Sequence, residues 1–509
     1  MAIASPSTPN FSASFYSKYS KSHSSARFST VRCHRTNPPF QKSSISSRLN
    51  SSKPSNGYTD SDGDLQYEYE HGASVSRQPR KGRPVFVALP SDSVTSAGKM
   101  RRRKVILQSL RALAAAGVEG IVMEVWWGMV ERDVPEHYDW QAYEEIVSLA
   151  EGCGLKVRAV MAFHQRGTGP GDPLWIPLPQ WVLEEMERDP EISFSDRLGR
   201  RNKEYISLGC DLLPVLYGRS PIQAYSDFMR NFRDVFRRYL GVTITGIQVG
   251  MGPSGELRYP SCSSHNLTWA RHIRELGDFQ CYDKYLLSSL NASGKSEWAN
   301  RSPENTDFFD NSRSSHYGDF FLKWYSNKLL SHGERICREV ESIFHGIEIN
   351  TSAKIGAIDW HYYVNSEGYL PIAQMFSRYR FGLCCTSFEV RDSEEQDKNP
   401  ISSPEGFLRQ LILAARVWKI PFEGENSSVN LDDGSFKQIV KMSDFYCHGV
   451  ETASFSFNFV RMDRNLFEPR QWMNFTRFVK QMSDGGVFRA RLEFGGVEVA
   501  SNIMAAIAY

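Results

Sequence analysis

Eight short apolar runs recur along this chain, at 84–89, 120–125, 155–163, 243–250, 347–356, 379–389, 419–425 and 452–460. Most are apolar through their length rather than alternating, as strands covered on both faces read. After each run comes a stretch with helical spacing: 104–116, 140–151, 223–240, 317–344, 369–379, 406–417, 435–442 and 468–482. In the first of these Val105, Leu107, Leu110 and Leu113 fall close to one face, and Gly117 follows as a stop signal. Eight strand–helix units predict an α/β chain folded as a (β/α)8 TIM barrel. A doubly wound open sheet would carry a Gly-rich phosphate turn after its first strand, and the chain has Leu89-Pro90-Ser91-Asp92 there. The segments 164–222 and 251–316 are rich in Gly, Pro, Ser and Asn and read as long βα loops at the C-terminal face.

A length of 509 residues would allow roughly three domains. The repeat assigns 84–484 to one barrel and leaves 485–509 as a C-terminal extension. Sixty Lys+Arg against 58 Asp+Glu argue against a polyanion binder, so no nucleic-acid partner is expected. No apolar run approaches the length of a spanning helix, so no membrane partner is expected either. The charge is uneven. Residues 1–59 contain no Asp or Glu but carry Lys18, Lys21, Arg27, Arg32, Arg35, Lys42, Arg48 and Lys53 among many serines. Without these the chain has 52 basic and 58 acidic residues. A Ser-rich, basic, acid-free start reads as a plastid transit peptide with a linker over 1–83, and a chloroplast stroma address. Nine cysteines form no CxxC pair, and Cys384 and Cys385 in an apolar run read as buried thiols.

In such a barrel the functional residues sit at strand C-termini. Those ends carry Glu124, Trp126 and Trp127; His164 and the loop Arg166–Asp172; Glu256 and Arg258; Lys354, Asp359 and His361; Thr386 and Glu389; Glu425 and Asn426; and Arg461. Of Trp126 and Trp127, one is expected to face the core. Glu389 could instead pair with Arg391 or another cation. No metal-ligand spacing and no GxSxG elbow occur. Paired carboxylates, which cleave glycosides as acid and base, remain. Indoles exposed beside carboxylates at a barrel mouth suit a glucan.

The motifs GIVMEVWWG, AFHQRGTGPGD, IPLPQWVLEE, RNKEYISLG, IQVGMGPSGELRYPS, FQCYDKY, TSFEVRDSE, GEN and FVRM resemble those of the plant β-amylases, in the same order across 84–482. The resemblance implies a barrel that removes maltose from non-reducing ends of α-1,4-glucans such as starch and maltooligosaccharides, with inversion and without metal or organic cofactor. It implies Glu256 as general acid, Glu425 as general base and Asp172 on a mobile lid. It implies sugar contacts from Glu124, His164, Lys354, Thr386, Asn426, Ser427 and Arg461, with Thr386 on an inner loop. The sequence departs from the family pattern at Glu124 (usually Asp), Asp359 (a sugar-contacting His), Ser427 (Ala), Ser428 (Leu), and in a shortened connection at 363–368. These departures keep a second reading open: a weakened or non-catalytic homologue that binds glucan.

Overall fold

The computed structural model describes residues 82–167, 169–258, 279–294, 316–356, 369–396, 403–448 and 454–483. Its strands are β1 (Val85–Ala88), β2 (Gly120–Trp126), β3 (Lys156–Ala162), β4 (Ser193–Ser195), β5 (Arg201–Ile206), β6 (Ile244–Val249), β7 (Glu256–Leu257), β8 (Asn350–Ile355), β9 (Phe381–Cys385), β10 (Phe422–Glu425) and β11 (Phe455–Phe459). The order β1-β2-β3-β6-β8-β9-β10-β11 closes back on β1, parallel throughout. This is the eight-stranded barrel that the apolar runs predict. Among the described residues, no helix is long and apolar enough to cross a membrane.

Each barrel strand turns one set of side chains outward against the helices and the other inward. The outward set, with Val87, Ile121, Val157, Ile247, Ala353, Leu383, Phe422 and Phe457 fully buried, belongs to the main core. Helices Arg103–Ala115, Gln141–Gly152, Pro221–Val235, His316–Ile343, Leu370–Arg378, Pro404–Val417, Asp433–Cys447 and Pro469–Met482 cover it. The helix expected over 223–240 starts earlier and stops earlier. Ser220 and Gln223 form a reciprocal cap around Pro221, and the chain after Val235 turns into a tight loop in which Tyr239 O takes the amides of Thr243 and Ile244. The inward set has a small apolar cluster of Phe86, Ala88 and Val122. Val160 and Val460 pack beside it, and polar residues such as Arg158, Gln248, Lys354, Glu423, Glu425 and Asn458 share the rest of the axis.

The insertions are more ordered than their composition suggests. Residues 164–222 hold the helix Gln180–Arg188 and the β4–β5 hairpin, and Lys284–Ser293 forms a helix capped by Asp283. In the second insertion β7 has a particular place. β6 pairs with β8 as far as Gln248↔Ser352, then residues 250–255 step away. The chain rejoins β8 with Glu256↔Lys354, two residues further up the same edge.

Candidate active site

A cavity of about 330 Å³ opens at the C-terminal strand ends. Glu124, Trp126, His164, Glu256, Lys354, Glu425 and Arg461 line it, together with Arg166, Glu204 and Gln248. Of the sequence-predicted site residues, six therefore meet in one place: Glu124, His164, Glu256, Lys354, Glu425 and Arg461.

Lys354 stands between the two carboxylates assigned to acid and base. Its Nζ lies 2.6 Å from Glu425 Oε2, while its backbone pairs with Glu256. Glu425 also accepts from Asn458 Nδ2 at 3.2 Å through its other oxygen. Among the described residues, Glu256 has the more distant Arg258 Nε, 3.7 Å away. Burial raises the Glu256 pKa; Arg258 and Lys354 oppose the shift, and the charges of Glu425 and Glu204 reinforce it. The two carboxyls thus have different environments: one is pushed towards its protonated form, and the other receives Lys354 and Asn458 as donors. Gly356 makes room for the first, since a Cβ there would stand 2.4 Å from Glu256 Oε2.

Glu124 closes the opposite wall. Both its oxygens take Arg461 guanidinium nitrogens, at 2.9 and 3.0 Å, and Ser91 Oγ donates at 2.9 Å. Arg461 is held in turn by Leu89 O at 2.7 Å. Burial would raise the Glu124 carboxyl, but Arg461, Arg166 and Ser91 outweigh it and hold the pKa down to about 2. A depressed carboxylate stabilises the fold above its unfolded pKa, and that stability is lost as pH falls from 4.5 through about 2. With both side chains partly exposed (21% and 16%), the pair should be worth about 2 kcal/mol. Glu124→Gln should lower unfolding stability by that amount at pH 7, and the gap to the native chain should shrink by pH 2.5. Equal urea midpoints at pH 7 would show that the pair contributes nothing.

His164 Nδ1 and Trp126 Nε1 are buried without a hydrogen-bond partner among the described residues, and their rings meet edge to face at 5.1 Å. Burial pulls the imidazole down to about 3, helped by Lys354, Arg166 and Arg258 against Glu124, so His164 is neutral near pH 7. Both rings can offer polar atoms to a ligand. The tandem tryptophans divide: Trp127 turns outward, donates to Glu131 at 2.6 Å and packs on Phe163, Trp181 and Tyr225. Trp126 lines the cavity but is only 3% exposed, so the indole is recessed in the wall rather than open at the mouth.

The other predicted site residues lie differently. Asn426 is buried, and its amide is used: Oδ1 accepts from Val460 N at 2.8 Å, and Nδ2 donates to Val460 O and to Ser428 O. Ser427 gives its amide and hydroxyl to Glu389 Oε1, both at 2.8 Å, and Ser428 N joins them at 2.6 Å. Glu389 therefore anchors the loop after β10 through these three donors. Thr386 follows β9 and receives the Cys385 thiol on its carbonyl, outside the cavity lining. Asp172 folds back towards Gly167 and accepts from Leu174 N at 2.9 Å. Two backbone bonds between Arg166 and Ile176 pin the base of that loop. Asp359 and the connection 363–368 fall outside the described residues. Among the described residues, no group of three His, Cys, Asp or Glu is placed to hold a metal ion.

Sequence reasoning missed Glu204, Gln248, Arg158, Glu423 and Asn458. Glu204 bonds Ser254 N at 2.6 Å and so fixes the turn that delivers Glu256. Its signal was present in the motif RNKEYISLG. The other four are polar residues inside strands and carry no positional signal of their own.

Three comparisons bear on this geometry. The chain is 46% identical over 452 residues to "Beta-amylase 1, chloroplastic" of Arabidopsis thaliana, covering 82% of this chain and 78% of the relative. It is 43% identical over 462 residues to "Beta-amylase 1, chloroplastic" of Oryza sativa subsp. japonica, covering 84% and 85%. The solved catalytic domain of a β-amylase from Paenibacillus polymyxa superposes with a TM-score of 0.65 at 23% identity, over 79% of this chain and 98% of that one, a likeness of fold. The profile of glycosyl hydrolase family 14 matches residues 86–487, and the chain belongs to that family.

Proposed function

We propose that this chain is a β-amylase, which hydrolyses α-1,4-glucosidic bonds from non-reducing ends and releases maltose with inversion. The observation that carries the reading is a pair of carboxyls with unlike surroundings at one cavity, the half-buried Glu256 and the buried Glu425, in a family 14 barrel. Glu256 protonates the leaving oxygen. Glu425, across the sugar, takes a proton from the attacking water. Inversion needs space for that water, so the carboxyls should stand about 6.5–9.5 Å apart around a bound sugar. Arg461, Glu124 and His164 present donors and acceptors to hydroxyls, and Trp126 offers an apolar wall. Asp172, Thr386, Asn426 and Ser427 would join only if the loops that bear them move onto the substrate. Asp359 is proposed as a further sugar contact.

Purified full-length chain should release maltose from soluble starch well above a Glu256→Gln control. Activity equal to that control would favour the glucan-binding reading instead. Polarimetry on fresh product should register the β anomer first, and an α product would refute inversion. The basic, acid-free segment ahead of the barrel supports delivery to the plastid stroma, where relatives named chloroplastic point as well. We assign 1–83 to that address, 84–484 to the barrel and 485–509 to an extension.

A further inference from the structure

Below the cavity, the barrel axis holds a polar chain where bulky branched residues usually pack. Arg158 enters from β3 and crosses the lumen to the far strands. Its Nη1 donates to Asn458 Oδ1 on β11 and lies 3.3 Å from Glu423 Oε2 on β10; its Nη2 donates to Ser456 Oγ at 3.1 Å. Gly246 on the neighbouring strand leaves its path free, since a Cβ there would stand 3.1 Å from Arg158 Nε. The guanidinium lies 4.4 Å from the Phe86 ring centre. Arg158, Glu423 and Asn458 are each 5% exposed or less.

A guanidinium only donates, whereas a primary amide has a donor end and an acceptor end. Because Arg158 takes Oδ1, the NH2 of Asn458 must face Glu425 Oε1, 3.2 Å away. Without Arg158 the amide could turn over and set an acceptor against the carboxylate. Glu423 balances the charge of Arg158, so the lumen gains a fixed orientation without net charge. We infer that Arg158 and Asn458 are positioning residues for Glu425: Arg158 locks the Asn458 amide so that it donates to the base from below, opposite Lys354. This rests on Glu425 being the general base. Among the described residues, the charged or titratable groups that act on Glu425 are Lys354 on β8, Cys384 on β9 with Cys385 turned to the outer core behind it, Glu256 on β7, Glu423 on its own strand and Arg461 after β11. Asn458 adds an amide donor to this set.

The test is the pH profile of kcat/KM on a maltooligosaccharide, measured on the full-length chain. Asn458→Asp keeps the side-chain shape and the Arg158 contact but replaces the donor with an acceptor. Its acidic limb should move to higher pH by about one unit, the tenfold weight of one charge-assisted hydrogen bond, with kcat reduced and KM little changed. The double variant Arg158→Met/Glu423→Leu removes the buried pair together and should move the limb the same way by a smaller step. It also decides the matter if Asn458→Asp does not fold. A merely structural chain would lower the thermal midpoint and leave the limb in place; that result in either folded variant overturns the inference. Glu425→Gln separates the two layers. If it is inactive while the limbs stay put, only this inference fails; if it is as active as the native chain, the assignment of the base fails and this inference with it.

Discussion

Glu256→Gln should lower kcat on soluble starch roughly a thousandfold while leaving KM close to the native value. The amide is nearly isosteric with the carboxyl, so it fits the gap that Gly356 leaves, but it cannot deliver the proton that a poor alkoxide leaving group needs. The deficit should depend on the leaving group. On α-maltosyl fluoride, whose fluoride departs without a proton, the variant should recover most of its rate. Glu425→Gln should stay slow on both substrates, because water still needs a base. The asymmetry follows from the surroundings: Glu256 has burial and two nearby carboxylates that favour its neutral form, while Glu425 has an ammonium at 2.6 Å and an amide at 3.2 Å. Equal losses on both substrates for Glu256→Gln would remove it from the role of acid.

Lys354→Met should cost about 3–5 kcal/mol of unfolding stability at pH 7 and most of the activity. The methionine fills the stem but leaves Glu425 without its ion pair and Glu256 without one of two opposing cations. The sign with pH is definite. Burial alone would lower the Lys354 ammonium, but Glu425 and Glu256 raise it well above its ordinary value of 10.5. Its stabilising contribution is therefore complete below that value and is lost only as pH rises through the higher folded pKa. The variant should be unstable across the neutral range, and its Glu256 should hold a proton to still higher pH. Calorimetry at pH 7 and at pH 10 checks this. An unchanged midpoint at pH 7 would show that the Lys354–Glu425 contact carries no net stability.

Much of this was legible before any coordinates. The eight strands stood out because their outward faces bury Val, Ile, Leu and Phe, although β8, β10 and β11 alternate these with polar residues that face the axis. The strand-end rule then pointed to Glu124, His164, Glu256, Lys354, Glu425 and Arg461, and these do converge. The helices and hairpin inside the insertions were hidden, since Gly, Pro, Ser and Asn speak for loops while tertiary packing on the barrel top decides otherwise. The lumen was hidden for another reason. Arg158 lies hundreds of positions from Glu423 and Asn458, and each reads as an isolated polar residue in a strand. Their meeting is a property of barrel closure, which no local pattern encodes. Asn426 and Ser427 follow β10 directly but spend their polar atoms on Val460, Ser428 and Glu389.

The detour between β6 and β7 has a mechanical consequence. Glu256 is not carried by the strand that precedes it; it is stitched to the edge of β8, opposite Lys354. Carboxyl and ammonium thus ride on one ribbon. A shift in the turn at 250–255 would leave that pair in register. The distance between carboxyl and ammonium is set by a β-ladder rather than by the path of a loop.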